Sequence, residues 1–211
     1  MLNVKERYFT LQILNYYLAL LKTIRLSDMK KVSLTLFFFF TISSSLFAGD
    51  SLNIVPKKVS FGYAANSNRN VNSVIVHSTF NNSGGDKYDI DLVLKQFSQY
   101  GVSAHYVIGR DGKIYQLVDE KDNSYHAGKS SLPDGTTNVN SCSIGIEIMT
   151  SYTESPTEEQ SKALLGLINS IKKRYPIKYV LRHSDIAPVR KTDPWNFDWN
   201  SFKKRLEDSN K

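Results

Sequence analysis

Between Ser143 and Met149 every second residue is an isoleucine, at 144, 146 and 148, with Gly145 and Glu147 between them. A period of two places the isoleucines on one face of a β-strand and commits that face to a core. The opposite face then carries a glycine and a carboxylate. A carboxylate in so apolar a strand is unfavourable unless it is paired or faces a wet cleft. The strand therefore implies one of two things: a structural ion pair between Glu147 and an arginine, or a site. Gly145, two residues earlier on the same face, leaves space beside the carboxylate.

The flanking sequence alternates short apolar runs with helical periodicity. Ser73 to His77 is a β-branched run ending on a histidine, and Asp86 to Tyr100 spaces Ile90, Val93, Leu94 and Phe97 as a helix that Gly101 stops. Ser103–Gly109 and Lys113–Val118 flank Arg110-Asp111-Gly112, an Asp-Gly hairpin signal. Residues 119–142 are polar and aperiodic, as expected of a loop that rims a site or is disordered. Ser155-Pro156-Thr157-Glu158 has the form of a capping box with proline at the first helical position, opening a helix striped by Leu164, Leu167, Ile168 and Ile171. Lys178–Arg182 is a further strand, and a last helix spans about Asp198 to Glu207. The pattern predicts one α/β domain with a central mixed β-sheet flanked by helices.

Charge narrows the class of partner. The 211-residue chain carries a net +7, but residues 1–48 hold six Lys/Arg against two Asp/Glu, leaving 21 against 18 in residues 49–211. More than half of the excess is in the leader, so nucleic acid is not implied. From Met29, Lys30-Lys31 precede a short apolar stretch with four phenylalanines and then small residues up to Ala48, the layout of a signal peptide over 29–48. The alternative is an uncleaved amino-terminal anchor. Residues 1–28 fit as an upstream extension, 49–70 as a lead-in and 71–208 as the functional domain, giving a periplasmic or secreted bacterial protein without a stable membrane anchor after cleavage. The single cysteine, Cys142, falls in phase with the isoleucines and reads as a small core residue.

Four histidines are present, and two of them, His77 and His183, end predicted strands, where loops gather. Ten residues after His183 comes Asp193, which Pro194 biases toward an extended backbone. Two imidazoles and one carboxylate form a donor set that zinc accepts with one position left for water, although histidines also reach strand ends by chance. Lys191 would then be held near the same position; otherwise it is a solvated charge.

Val76-His77, Val102-Ser103-Ala104-His105-Tyr106, His126-Ala127-Gly128, Ser143-Ile144-Gly145-Ile146-Glu147 and His183-Ser184-Asp185-Ile186-Ala187-Pro188-Val189-Arg190-Lys191-Thr192-Asp193-Pro194 occur in that order. Together they resemble the zinc N-acetylmuramoyl-L-alanine amidases of the amidase-2 type, relatives of phage T7 lysozyme and of peptidoglycan recognition proteins. The resemblance covers about residues 71–205. It implies His77, His183 and Asp193 as zinc ligands, Glu147 as general base, Lys191 as transition-state stabiliser and His126 as a groove residue. Aspartate as third ligand matches the bacterial recycling and periplasmic amidases rather than the cysteine-ligated phage and animal branch. Ala104 stands where the phage branch carries a catalytic tyrosine, which leaves that work to Glu147. His105 is expected either to orient a ligand or, as we favour, to be a satisfied core histidine. Arg110 and Arg190, near the motif loops, are candidates for binding the carboxylates of a peptidoglycan or muropeptide stem, with solvated surface charge as the plainer role. The expected reaction is hydrolysis of the amide between N-acetylmuramic acid and L-alanine. The alternatives are a non-catalytic peptidoglycan-binding module, and a toxin or lysin using the same chemistry.

Overall fold

A computed structural model describes residues 52–65 and 68–209. The leader expected at 29–48, and residues 1–28 before it, lie outside the described residues. Among the described residues eight strands are formed: β1 (Ile54–Pro56), β2 (Tyr63–Ala64), β3 (Ser73–Thr79), β4 (Tyr106–Ile108), β5 (Ile114–Gln116), β6 (Asn123–Ser124), β7 (Ser143–Met149) and β8 (Tyr179–Arg182). Six of them make one sheet in the order β1-β5-β4-β7-β3-β8, in which only the β4–β5 hairpin is antiparallel. The mixed sheet flanked by helices is thus as expected. Within residues 52–65, β1 pairs in parallel with β5 and β2 pairs antiparallel with β6.

The two central strands are covered on both sides, as parallel strands usually are. All seven residues of β3 are buried. On one face, Val74 and Val76 of β3 and the three isoleucines of β7 pack with Leu164, Leu167, Ile168 and Ile171 of helix α2 (Glu158–Lys172). Trp199, Phe202 and Leu206 of the last helix, Trp199–Asp208, close the same core. On the other face, helix α1 (Ile90–Tyr100) buries Val93, Leu94 and Phe97 against Val107 and Leu117. A separate patch gathers Ile75, Ala127, Val139, Cys142 and Ile186, which confirms the cysteine as a core residue. Between these two patches the second face is polar, and the site lies there.

Three boundaries differ from the sequence expectation for local reasons. Helix α1 starts at Ile90 because Asp89 is its cap, accepting from the Asp91 and Leu92 amides at 2.7 and 3.1 Å, while Asp86 closes the preceding turn. Helix α2 is capped by Thr157 rather than Ser155: its hydroxyl accepts from the Gln160 amide, and the Gln160 side chain accepts from the Thr157 amide. Gln160 wins because its buried amide also donates to the carbonyls of Ile108 and Met149, tying the helix to two strands. A one-turn helix, α3 (His183–Ile186), follows β8 directly, an element that the sequence reading did not mark, so the last helix is α4.

Candidate active site

Register brings the first two site residues together. β3 and β7 are parallel neighbours in which His77 stands beside Glu147 and Ile75 beside Gly145. Partners in such a ladder point to the same side, on strands ~4.8 Å apart. His183 arrives from the next strand, at the start of α3, and the Ser184 amide donates to the Asp193 carbonyl at 3.0 Å to draw the ligand loop back over it. His77, His183 and Asp193 are all buried, and their candidate ligand atoms lie within 4.8 Å of one another.

The donor set fits zinc. Asp193 Oδ2 is 3.1 Å from His183 Nδ1 and 3.6 Å from His77 Nδ1. A tetrahedral ion with bonds of ~2.0–2.1 Å would hold its ligand atoms about 3.3 Å apart. The outer nitrogens are already engaged. His183 Nε2 faces the Ala127 carbonyl at 3.3 Å, and His77 Nε2 faces His126 Nδ1 at 3.0 Å. From there the chain continues: His126 Nε2 is 3.2 Å from Ser143 Oγ, which donates to the Val139 carbonyl at 2.6 Å. If each imidazole donates outward, both Nδ1 lone pairs face the cluster, which is how second neighbours fix a metal-binding histidine. Burial and the neighbouring His183 lower the His77 imidazole to a pKa of about 4, so it is neutral near pH 7. Burial alone would raise the Asp193 carboxyl, but the close approach of the His183 and His77 rings outweighs it and holds the group well below the usual carboxylate range.

Glu147 has no ion-pair partner among the described residues, so the arginine alternative finds no support. Its Oε2 is buried and makes no hydrogen bond. Burial, reinforced by the Asp193 charge and opposed by Lys191, raises its pKa well above that of an ordinary glutamate. Glu147, His126, His183, Lys191 and Asp193 all line one open cleft of about 390 Å³.

The remaining candidates separate. His126 does reach the cleft, but it is only 8% exposed and its principal contacts are with His77 and Ser143. Its ring occupies the space above Gly145, where an added Cβ would sit 2.3 Å from the imidazole Cγ. The gap that the glycine was expected to leave is therefore filled by His126. His105 is a satisfied core histidine: Nδ1 accepts from the Gly145 amide at 3.0 Å and Nε2 is 3.0 Å from the Asp122 carbonyl. Arg190 lines the cleft while donating to the carbonyls of Ala127 and Lys129, which pins the loop that carries His126. Arg110 is not brought to the cleft. Its guanidinium donates to the carbonyls of Met149 and Ser155 and to Gln160 Oε1, and it lies over the Tyr88 ring. Sequence reasoning missed Tyr152 and Trp195, and gave Ser143 only as the start of a strand motif, not as a partner of His126. Nothing local marks them, because their roles depend on which loops meet.

A buried His-His-Asp cluster beside an unpaired carboxylate, at the C-terminal ends of parallel strands, is the constellation of a metal-assisted hydrolase. Residues 67–196 match the family described as N-acetylmuramoyl-L-alanine amidase, Amidase_2, and the chain belongs to that family. It is 42% identical over 105 residues to the 1,6-anhydro-N-acetylmuramyl-L-alanine amidase AmpD of Citrobacter freundii, a match covering 48% of this chain and 56% of the relative. The match thus spans little more than half of that protein. A crystal structure of a selenomethionine AmpD derivative superposes with a TM-score of 0.62 at 29% identity, covering 73% of this chain and 94% of the other. The Escherichia coli amidase AmiD, in complex with the substrate anhydro-N-acetylmuramic acid-L-Ala-D-γ-Glu-L-Lys, gives a TM-score of 0.55 at 31% identity, covering 64% of this chain and 56% of that one.

Proposed function

We propose that this protein hydrolyses the amide joining N-acetylmuramic acid to L-alanine in muropeptides or peptidoglycan, with Glu147 as general base. One observation carries the reading: an unpaired buried carboxylate oxygen beside three converging metal donors, two of which, His183 and Asp193, line an open cleft together with Glu147. His77, His183 and Asp193 would hold zinc, which when bound supplies Lewis acidity, polarising a carbonyl and making water acidic enough to ionise near neutral pH. Glu147 accepts the proton of the attacking water and returns it to the departing alanine nitrogen. Lys191, on the cleft wall, offers its ammonium to the negative charge that develops on the carbonyl oxygen. His126, Ser143 and the Ala127 carbonyl hold the two imidazoles in their ligand orientation.

The names of the relatives support an amide of anhydromuramyl peptides as the target, and the complete set of five site residues weighs against a purely binding module. The signal-like segment at 29–48 supports export, so that the enzyme acts in the periplasm or outside the cell; amino-terminal sequencing of the exported protein should begin at Gly49. The decisive test is mass spectrometry of muropeptides incubated with the protein, with and without a chelator. Release of peptides beginning with L-alanine, abolished by the chelator, is the expected result. Glu147→Ala should retain zinc and lose roughly 10²–10⁴-fold in rate. Full activity in that variant would remove Glu147 from the mechanism.

A further inference from the structure

Five large apolar side chains are exposed among the described residues, and three of them, Tyr100, Tyr125 and Tyr152, line the cleft above Glu147. Exposed apolar surface gathered in one place marks a ligand. Tyr152, 64% exposed, is in contact with Trp195, with ring centroids 4.3 Å apart and planes inclined at 50°. Phe80 meets both rings edge-on, at 5.4 and 6.0 Å. The back of this pair is held by polar contacts. The Trp195 amide donates to Ser78 Oγ, its indole N–H donates to Thr192 Oγ1, and the Asn196 side chain donates to the Tyr152 carbonyl. The two rings are thus fixed by groups behind them while Tyr152 stays open to solvent, two aromatic side chains that the proposed hydrolysis does not use.

Resting on the amidase reading, we propose that Tyr152 and Trp195 form a sugar platform that stacks on the C–H face of the N-acetylmuramyl ring. The two halves of such a substrate differ in chemistry. The stem peptide carries carboxylates and suits the part of the rim that holds Arg190 and Lys191. The muramyl ring presents polarised C–H groups on an otherwise neutral face, which the negative face of an aromatic ring attracts. Tyr152 and Trp195 stand at the ends of β7 and β3, where Trp195 is two residues from Asp193. A sugar on that platform would place its lactyl amide over the metal donors.

Ligand-observed NMR on the full chain tests this without hydrolysis, using N-acetylmuramic acid and the free tripeptide L-Ala-γ-D-Glu-L-Lys as separate probes. Tyr152→Ala should weaken the sugar about tenfold and shift the tripeptide less than twofold, while Tyr152→Phe, which keeps the ring, should bind the sugar as the natural protein does. Trp195→Ala should weaken the sugar as well. Because Trp195 sits close to the ligand loop, its result counts only where circular dichroism and zinc content are unchanged, and Tyr152→Ala decides alone otherwise. Unaltered sugar binding in Tyr152→Ala, equal weakening of both probes, or no sugar binding by the natural protein would each overturn the platform. Failure of the amidase reading would appear separately, as no L-alanine-terminated peptide released from muropeptides by the natural protein.

Discussion

Gly145 and His126 depend on each other. The ring of His126 stacks over a backbone that has no side chain, and an added Cβ at 2.3 Å would push it away. The adjoining amides of His126 and Ala127 both donate to Asn140 Oδ1, so the loop has little room to retreat. Gly145→Ala should therefore behave as overpacking, lowering stability by about 1–3 kcal/mol and disturbing the imidazole that faces His77. His126→Ala removes that imidazole outright. Loss of a second neighbour typically lowers metal affinity ~10–100-fold, so competition with a chromogenic chelator should show a zinc affinity reduced by that factor. A raised KM with unchanged zinc affinity would instead make His126 a substrate contact, the role that the resemblance implied.

At the level of elements, the start of α2 makes a sharp prediction. Thr157 caps the helix and its hydroxyl also donates to the Arg110 carbonyl at 2.8 Å, joining the β4–β5 turn to the helix. Thr157→Ala should lower stability by about 1–2 kcal/mol, seen as a reduced urea midpoint, and Ser155→Ala should leave it nearly unchanged. Arg110 belongs to the same joint, since it bonds Met149, Ser155 and Gln160. The sequence marked the helix and its apolar stripe correctly but misplaced the cap by two residues. Ser155 and Thr157 are equally good caps in isolation, and the choice was made by the reach of Gln160 to carbonyls on β4 and β7. The hairpin, α1 and β7 were legible because their signals are local, whereas α3 was not, its single turn being held by the Asp193 loop ten residues away.

Over the whole molecule, the buried histidines couple folding to acidity. Burial, with Arg69 nearby, lowers His105 from the ordinary 6.5 to about 3. Between those values the unfolded chain binds a proton that the folded chain refuses, so stability is complete above about pH 6.5 and declines as pH falls, by about 1.4 kcal/mol per unit for this group. In chelated protein, His105→Asn should be less stable than the natural protein at pH 7 but should lose stability less steeply below pH 6.5. Parallel urea midpoints in the two proteins across that range would show that His105 is protonated while folded. The sequence alone determined the alternation of strands and helices and, through five ordered motifs, the resemblance that singles out His77, His183, Asp193, Glu147 and Lys191 as the residues of the proposed chemistry. Only the tertiary structure decided what surrounds them. His126 became a brace for His77, Arg110 a joint in the scaffold, and Tyr152 with Trp195 an aromatic wall. The reason is that donor chemistry is a property of the single residue, whereas bracing and stacking are properties of distance between segments far apart in the chain, which packing alone fixes.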